Sequence, residues 1–219
     1  ITEDGYLGMG NEVRLFEEEV ARYLGVKPSQ VISVNTGTAA LHLAVDGVAA
    51  QCRVDGKPEV LVPSLTFVAS FQAITAAGCQ PVACDVLPET GTIDLADAER
   101  RLTPRTIAIM PVHYASNPWH IDAIYDFARA KGLRVVEDAA HAFGCKSKGR
   151  MIGSFGDMVC FSFDGIKNIT CGEGGCLVAF DEAAGNLASD ARLLSVANDA
   201  KQRFAGARSW DPDVTRQGW

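Results

Sequence analysis

Apolar positions along the chain follow two periods, and the switches between them mark out its elements. Val13, Phe16, Val20, Tyr23 and Leu24 recur at helical spacing with Gly25 as a stop, which predicts a first amphipathic helix. Short continuous apolar runs follow at Val31–Val34, Val60–Pro63, Pro81–Val86, Thr106–Val112, Leu133–Val136, Met158–Phe163 and Cys176–Phe180. Runs of this length read as buried strands. Helical segments separate them: Thr38–Val48, Thr66–Ala77 ended by Gly78, and a short helix from the cap Asp94 to Leu102. A helix opened by Asn117-Pro118 and stopped by Gly132, and another over Asp181–Val196, complete the set. Apolar strands alternating with amphipathic helices predict an α/β fold whose mainly parallel sheet is covered on both faces. Such sheets bind ligands at the carboxyl ends of their strands.

The chain's 219 residues carry 20 Lys and Arg against 27 Asp and Glu, a net charge of −7, with 47% hydrophobic residues. A packed core follows, and a general nucleic-acid or anionic-membrane binder is disfavoured, because both reward a basic face. No apolar run approaches the ~18 residues of a membrane span, and no signal peptide opens the chain. Cysteines at 52, 79, 84, 145, 160, 171 and 176 form no C-x-x-C pair, and are read as reduced, buried thiols of a cytoplasmic protein. No spacing predicts a metal site. The polar stretch Asn198–Trp219, with Arg203, Arg208 and Arg216, lacks a period and reads as a mobile loop or a connection to further sequence.

Four segments that follow strands carry candidate chemistry. Asn35-Thr36-Gly37-Thr38-Ala39-Ala40 starts a helix whose free N–H groups and Thr38 hydroxyl suit a phosphate, or is simply a capped helix start. It is neither a Walker loop nor G-x-G-x-x-G. In Val135-Val136-Glu137-Asp138 two carboxylates end an apolar strand, and one must sit at the sheet's mouth because strand neighbours point to opposite faces. There it needs a cationic partner, either a structural Arg or a ligand such as a pyridine nitrogen, which a nearby anion keeps protonated. Ser162 and Lys167 lie in a turn that leads to Gly172-Glu173-Gly174-Gly175; a desolvated Lys there is a nucleophile toward carbonyls, and a solvated one is not. Phe67 at a helix start offers a flat face to a planar ligand or packs in the core. Taken in order, these features describe a pocket for pyridoxal 5′-phosphate.

The words NTGTAALHLA at 35–44, VPSLTFVAS at 62–70, VVEDAAHAFG at 135–144, GSFGDMVCFSF at 153–163 and IKNITCGEGG at 166–175 resemble the DegT/StrS-like nucleotide-sugar aminotransferases. The resemblance implies the fold type I large domain, a three-layer sandwich around a mainly parallel mixed sheet. It implies transamination of a nucleotide-linked keto-hexose with L-glutamate as donor, in a cytoplasmic homodimer with shared active sites. Lys167 then carries the cofactor and moves the proton, and Asp138 keeps the ring nitrogen protonated. Phe67 stacks on the ring, His141 lies beside it, and Gly37, Thr38, Ala39 and Ser162 hold the phosphate. The E-G-G turn containing Glu173 resembles members that act on 4-keto sugars. Asp164 and the stretch His113–Pro118 depart from the family's usual pattern near the sugar pocket. Residues 1–197 are expected to be the cofactor-binding large domain without some amino-terminal residues, and 198–219 a loop or the start of a missing small domain. Three rival readings remain open. A sugar dehydratase would put His at the Lys167 position; a degenerate paralogue would bind cofactor without turnover; an NAD-linked oxidoreductase would need a dinucleotide fingerprint.

Overall fold

The computed structural model describes residues 10–193. Helix α1 (Asn11–Leu24) ends where Gly25 turns left-handed at φ 74° and returns its N–H to Ala21 O. The chain continues through β1 (Val31–Val34), α2 (Gly37–Ala49), β2 (Glu59–Pro63), α3 (Val68–Ala76), β3 (Gln80–Cys84) and α4 (Leu95–Arg100). Then come β4 (Thr106–Ile109), α5 (Ile121–Lys131), β5 (Arg134–Asp138), β6 (Lys146–Ser147), β7 (Arg150–Met151), β8 (Met158–Ser162), β9 (Gly175–Ala179) and α6 (Glu182–Ala191).

Seven strands form one sheet in the order β1-β9-β8-β5-β4-β2-β3. Only β9 opposes its neighbours within it; the other six run the same way and end at one edge. Side chains alternate between the faces, so Val60, Val136 and Cys160 pack under α2, α3 and α6 through Leu41, Val45, Ile74 and Ala188. Leu61, Ile109 and Val135 face α4 and α5 through Ala98, Ile124 and Ala128, while Val31, Phe161 and Val178 face Val20 and Leu24 of α1. The expected three layers are therefore present, with apolar residues on both faces of the central strands.

Departures from the sequence expectations are local and have physical reasons. Strand β4 stops at Ile109 instead of Val112, because Pro111 has no N–H to give to the ladder; pairing resumes at a Val112–Asp138 bridge. Helix α5 starts at Ile121 instead of Asn117, because Ala115, Ser116 and His120 adopt left-handed φ of 51°, 64° and 63°. The β6–β7 hairpin was not read from the sequence. Its turn residues Lys148 and Gly149 have φ of 48° and 80°, the sign a tight hairpin turn requires. Helix α6 is described to Ala191; the rest of the expected helix to Val196, and the stretch 198–219, lie outside the described residues.

All seven cysteines are free thiols, but they are not all buried. Cys79, Cys84, Cys160 and Cys176 are buried, Cys52 and Cys145 are half-buried, and Cys171 is exposed on the loop between β8 and β9. Burial pushes the Cys79 and Cys84 thiols up to about 11. Among the described residues, no helix is long and apolar enough to cross a membrane.

Candidate active site

A cleft of about 560 Å³ opens where the six co-directional strands end. Five post-strand segments line it, among them Thr36 to Thr38 after β1, Leu65 to Phe67 after β2 and His113 after β4. Asp138 and His141 after β5, and Ser162, Asp164, Lys167 and Glu173 around the β8–β9 loop, complete its wall. Seven of the eight site residues expected from the sequence line this one cleft, and Ala39 does not. Its N–H is already bonded to the Thr36 hydroxyl at 3.0 Å, which caps α2. The Gly37 and Thr38 amides have no acceptor among the described residues. The turn is therefore a capped helix start that leaves two amide donors free at its positive end.

Gly37 is required by the approach of β8. A Cβ at that position would lie 2.7 Å from Ser162 Cβ, so only glycine lets the Ser162 hydroxyl come up beside the helix start. Gly175 is tighter still, because a Cβ there would stand 2.5 Å from the Thr36 carbonyl carbon.

Asp138 is 5% exposed and has no Arg partner among the described residues. Ser70 Oγ donates to its Oδ2 at 2.6 Å and the Ala140 N–H to its Oδ1 at 3.2 Å. Ser70 is in turn 2.6 Å from Thr66 Oγ1, four residues back and just before α3 begins. A carboxylate only accepts, so Ser70 gives its one proton to Asp138 and receives that of Thr66. This Thr66–Ser70 relay was not found from the sequence, because Ser70 sits in an apolar helix with nothing local to mark it. The neighbouring Glu137 points to the opposite face, fully buried, and meets His113 Nε2 at 2.7 Å and the Tyr125 hydroxyl at 2.5 Å.

Lys167 follows a side-chain turn. Asp164 Oδ1 accepts the Ile166 N–H at 3.1 Å and the Asp164 carbonyl accepts the Lys167 N–H at 3.0 Å. Asn168 ties the loop to the Phe143 carbonyl at 2.6 Å. The Lys167 amine has no hydrogen-bond or ion-pair partner among the described residues. His141 lies close by. Burial and the Lys167 ammonium push its imidazole below the usual histidine range, with Asp138 acting the other way. Phe67 is 71% exposed at the cleft's rim, which rules out the core-packing alternative for its ring.

A primary amine, a buried anion, two free amides with a hydroxyl, and an exposed ring thus face one space. The family model for DegT/DnrJ/EryC1/StrS aminotransferases matches residues 1–209. The chain belongs to that family. Among curated relatives, a dTDP-4-dehydro-2,3,6-trideoxy-D-glucose 4-aminotransferase of Saccharopolyspora spinosa is 41% identical over 190 residues, 87% of this chain and 48% of that protein. Among solved structures, the aminotransferase TlmJ from Streptoalloteichus hindustanus superposes with a TM-score of 0.86 at 35% identity, covering 99% of this chain and 55% of that one. NtdA from Bacillus subtilis, solved with bound cofactor PMP, gives 0.74 at 27% identity over 83% of this chain and 40% of that one. The fold is that of the type I aminotransferases. The chain spans about half the length of the curated relatives it matches, from 48% to 54%.

Proposed function

We propose that this chain is the cofactor-binding part, residues 1–197, of a pyridoxal 5′-phosphate-dependent aminotransferase that converts the keto group of a nucleotide-linked hexose to an amine with L-glutamate as donor. The observation that carries the reading is the convergence of Lys167 and Asp138 on one cleft, beside the free amides of Gly37 and Thr38. Each chemical feature of the cofactor meets its complement. A dianionic phosphate suits the two amides at the start of α2 and the Ser162 hydroxyl; a basic ring nitrogen suits Asp138; an aldehyde suits the unpaired Lys167 amine. The exposed Phe67 ring suits a flat heterocycle, and His141, with its charge disfavoured, suits a neutral contact at the ring's edge. When bound, the cofactor supplies an electron sink for the carbon that loses its proton. The protein's part is to hold that proton on Lys167 Nζ, to keep a negative charge on Asp138, and to exclude water from the cleft.

A 4-keto hexose is the favoured substrate, supported by the E-G-G turn at 173–175 and by the 41%-identical relative being a 4-aminotransferase of a 4-dehydro sugar. The same reading makes the protein a cytoplasmic homodimer with active sites completed across the interface, which sedimentation of the full-length protein tests. The decisive experiment incubates the full-length protein with dTDP-, UDP- and GDP-linked keto-hexoses plus L-glutamate and follows 2-oxoglutarate. Release with a 4-keto sugar supports the proposal, and no release with any sugar refutes it. Lys167→Ala should abolish borohydride-fixed cofactor attachment while leaving the far-ultraviolet circular dichroism unchanged.

A further inference from the structure

Glu137 is a fully buried carboxylate that the proposed reaction does not use. Its two oxygens accept from Tyr125 and His113, and no Lys or Arg among the described residues pairs with it. The Tyr125 oxygen accepts the Asp157 N–H at 3.0 Å, so its single proton is directed to Glu137. Burial, and then the Glu137 charge, raise the Tyr125 hydroxyl well above its ordinary value, so that proton stays in place. An ionised Glu137 in turn fixes the proton on His113 Nε2.

This network lies beside a gap in the β4–β5 ladder. Asp138 gives its N–H to Pro111 O at 2.8 Å and takes the His113 N–H at 3.0 Å on its carbonyl. The next rung toward the amino end of β5 would need an N–H from residue 111, which is proline. The Glu137–His113 bond ties the two segments together beside that missing rung.

We propose that the His113–Glu137–Tyr125 network is a positioning device for Asp138: it clamps the end of β5 to residues 111–113 and so fixes the direction of the Asp138 carboxylate in the cleft. His113 and Tyr125 are positioning residues, acting through Asp138 and not on the reacting atoms. The inference rests on the pyridoxal phosphate reading, and the test separates the two.

Apo full-length protein is titrated with pyridoxal 5′-phosphate, and binding is followed by the cofactor's visible absorbance for the wild type, His113→Leu, His113→Gln and Tyr125→Phe. Each substitution is also made in an Asp138→Ala background. His113→Leu is expected to weaken binding by about tenfold, the effect of losing one bond to a charged group. His113→Gln, whose amide can still donate to Glu137, is expected to recover most of that loss, and Tyr125→Phe to show a smaller one. In the Asp138→Ala background these substitutions should change binding by less than about twofold, because the residue they act through is gone. Equal losses in both backgrounds, or no loss in the Asp138 background, would overturn the proposal. If His113→Leu fails to fold, the Gln and Phe variants decide on the same criterion. Failure of the wild type to bind pyridoxal phosphate would overturn the functional reading and this inference with it, whereas wild-type binding with uncoupled variants overturns this inference alone.

Discussion

Replacing Ser70 by alanine removes a single oxygen, and the structure fixes what that oxygen does. Ser70 is fully buried, donates to Asp138 Oδ2 at 2.6 Å and accepts from Thr66. Asp138 is itself 5% exposed, so water does not replace the lost donor freely, and the carboxylate keeps only the longer 3.2 Å bond from Ala140. A hydrogen bond to a charged group contributes about 1.5–3 kcal/mol, and stranding a buried carboxylate incurs the upper part of that range. Ser70→Ala should therefore lower the unfolding free energy of the apo protein by about 2–3 kcal/mol at pH 7. Thr66→Val removes a bond between neutral hydroxyls and should lower it by only about 0.5–1.5 kcal/mol. Urea unfolding followed by circular dichroism measures both, provided the slope of the transition is unchanged. If Ser70→Ala costs less than about 0.5 kcal/mol, or less than Thr66→Val does, the directional relay is wrong. On the functional reading the same variant weakens cofactor binding as well, since it frees the carboxylate that faces the ring nitrogen.

Gly175→Ala should destabilise the protein by about 1–3 kcal/mol or more, because its Cβ would stand 2.5 Å from backbone that cannot move aside; wild-type thermal stability in that variant would contradict the packing described. The Asp97 carboxyl is held at about 2 by hydrogen bonds from Arg101 and the Asp85 amide, with Arg100 adding to them. That value is below its ordinary 3.8, so the folded state favours the charged form. Its stabilisation is complete above about pH 4 and lost as the pH falls toward 2; the difference in urea midpoint between wild type and Asp97→Asn should shrink over that window. Cys171 is the one exposed cysteine among the seven, so a native-state thiol titration should label it first. Cys160 and Cys176 should react only on unfolding, and peptide mapping that found either of them labelled first would refute the assignment of burial.

The layer order and the residues of the cleft were legible because strand periodicity and post-strand polar residues are local signals. The convergence of Asp138 and Lys167 on one cleft needed only that both follow strands of one sheet. Strand direction was less legible. A run buried on both faces has the same pattern whichever way it points, so Cys176–Phe180 did not announce that β9 opposes its neighbours. Ser70 was invisible for a related reason: its partner lies 68 residues away, and a serine in an apolar helix has many readings. The early end of β4 could have been read from Pro111, and the β6–β7 hairpin from Lys148-Gly149. Both are single-residue signals that the surrounding pattern outweighed. Among the described residues no Arg partners the strand-end carboxylates, because hydroxyls, an amide and an imidazole fill that role.

The reversed direction of β9 decides how Lys167 is carried. Since β8 leaves the sheet and β9 returns at the same edge, the lysine rides on a short closed leash whose two stems are knotted together by the Phe163 N–H and the Gly174 carbonyl. On such a leash, contour length governs where the amine can reach, and at an exposed position such as Ile169 side-chain identity matters less than the number of residues. Substitutions there can reshape the outer rim while the amine stays at its station, whereas deleting one residue would draw it off target.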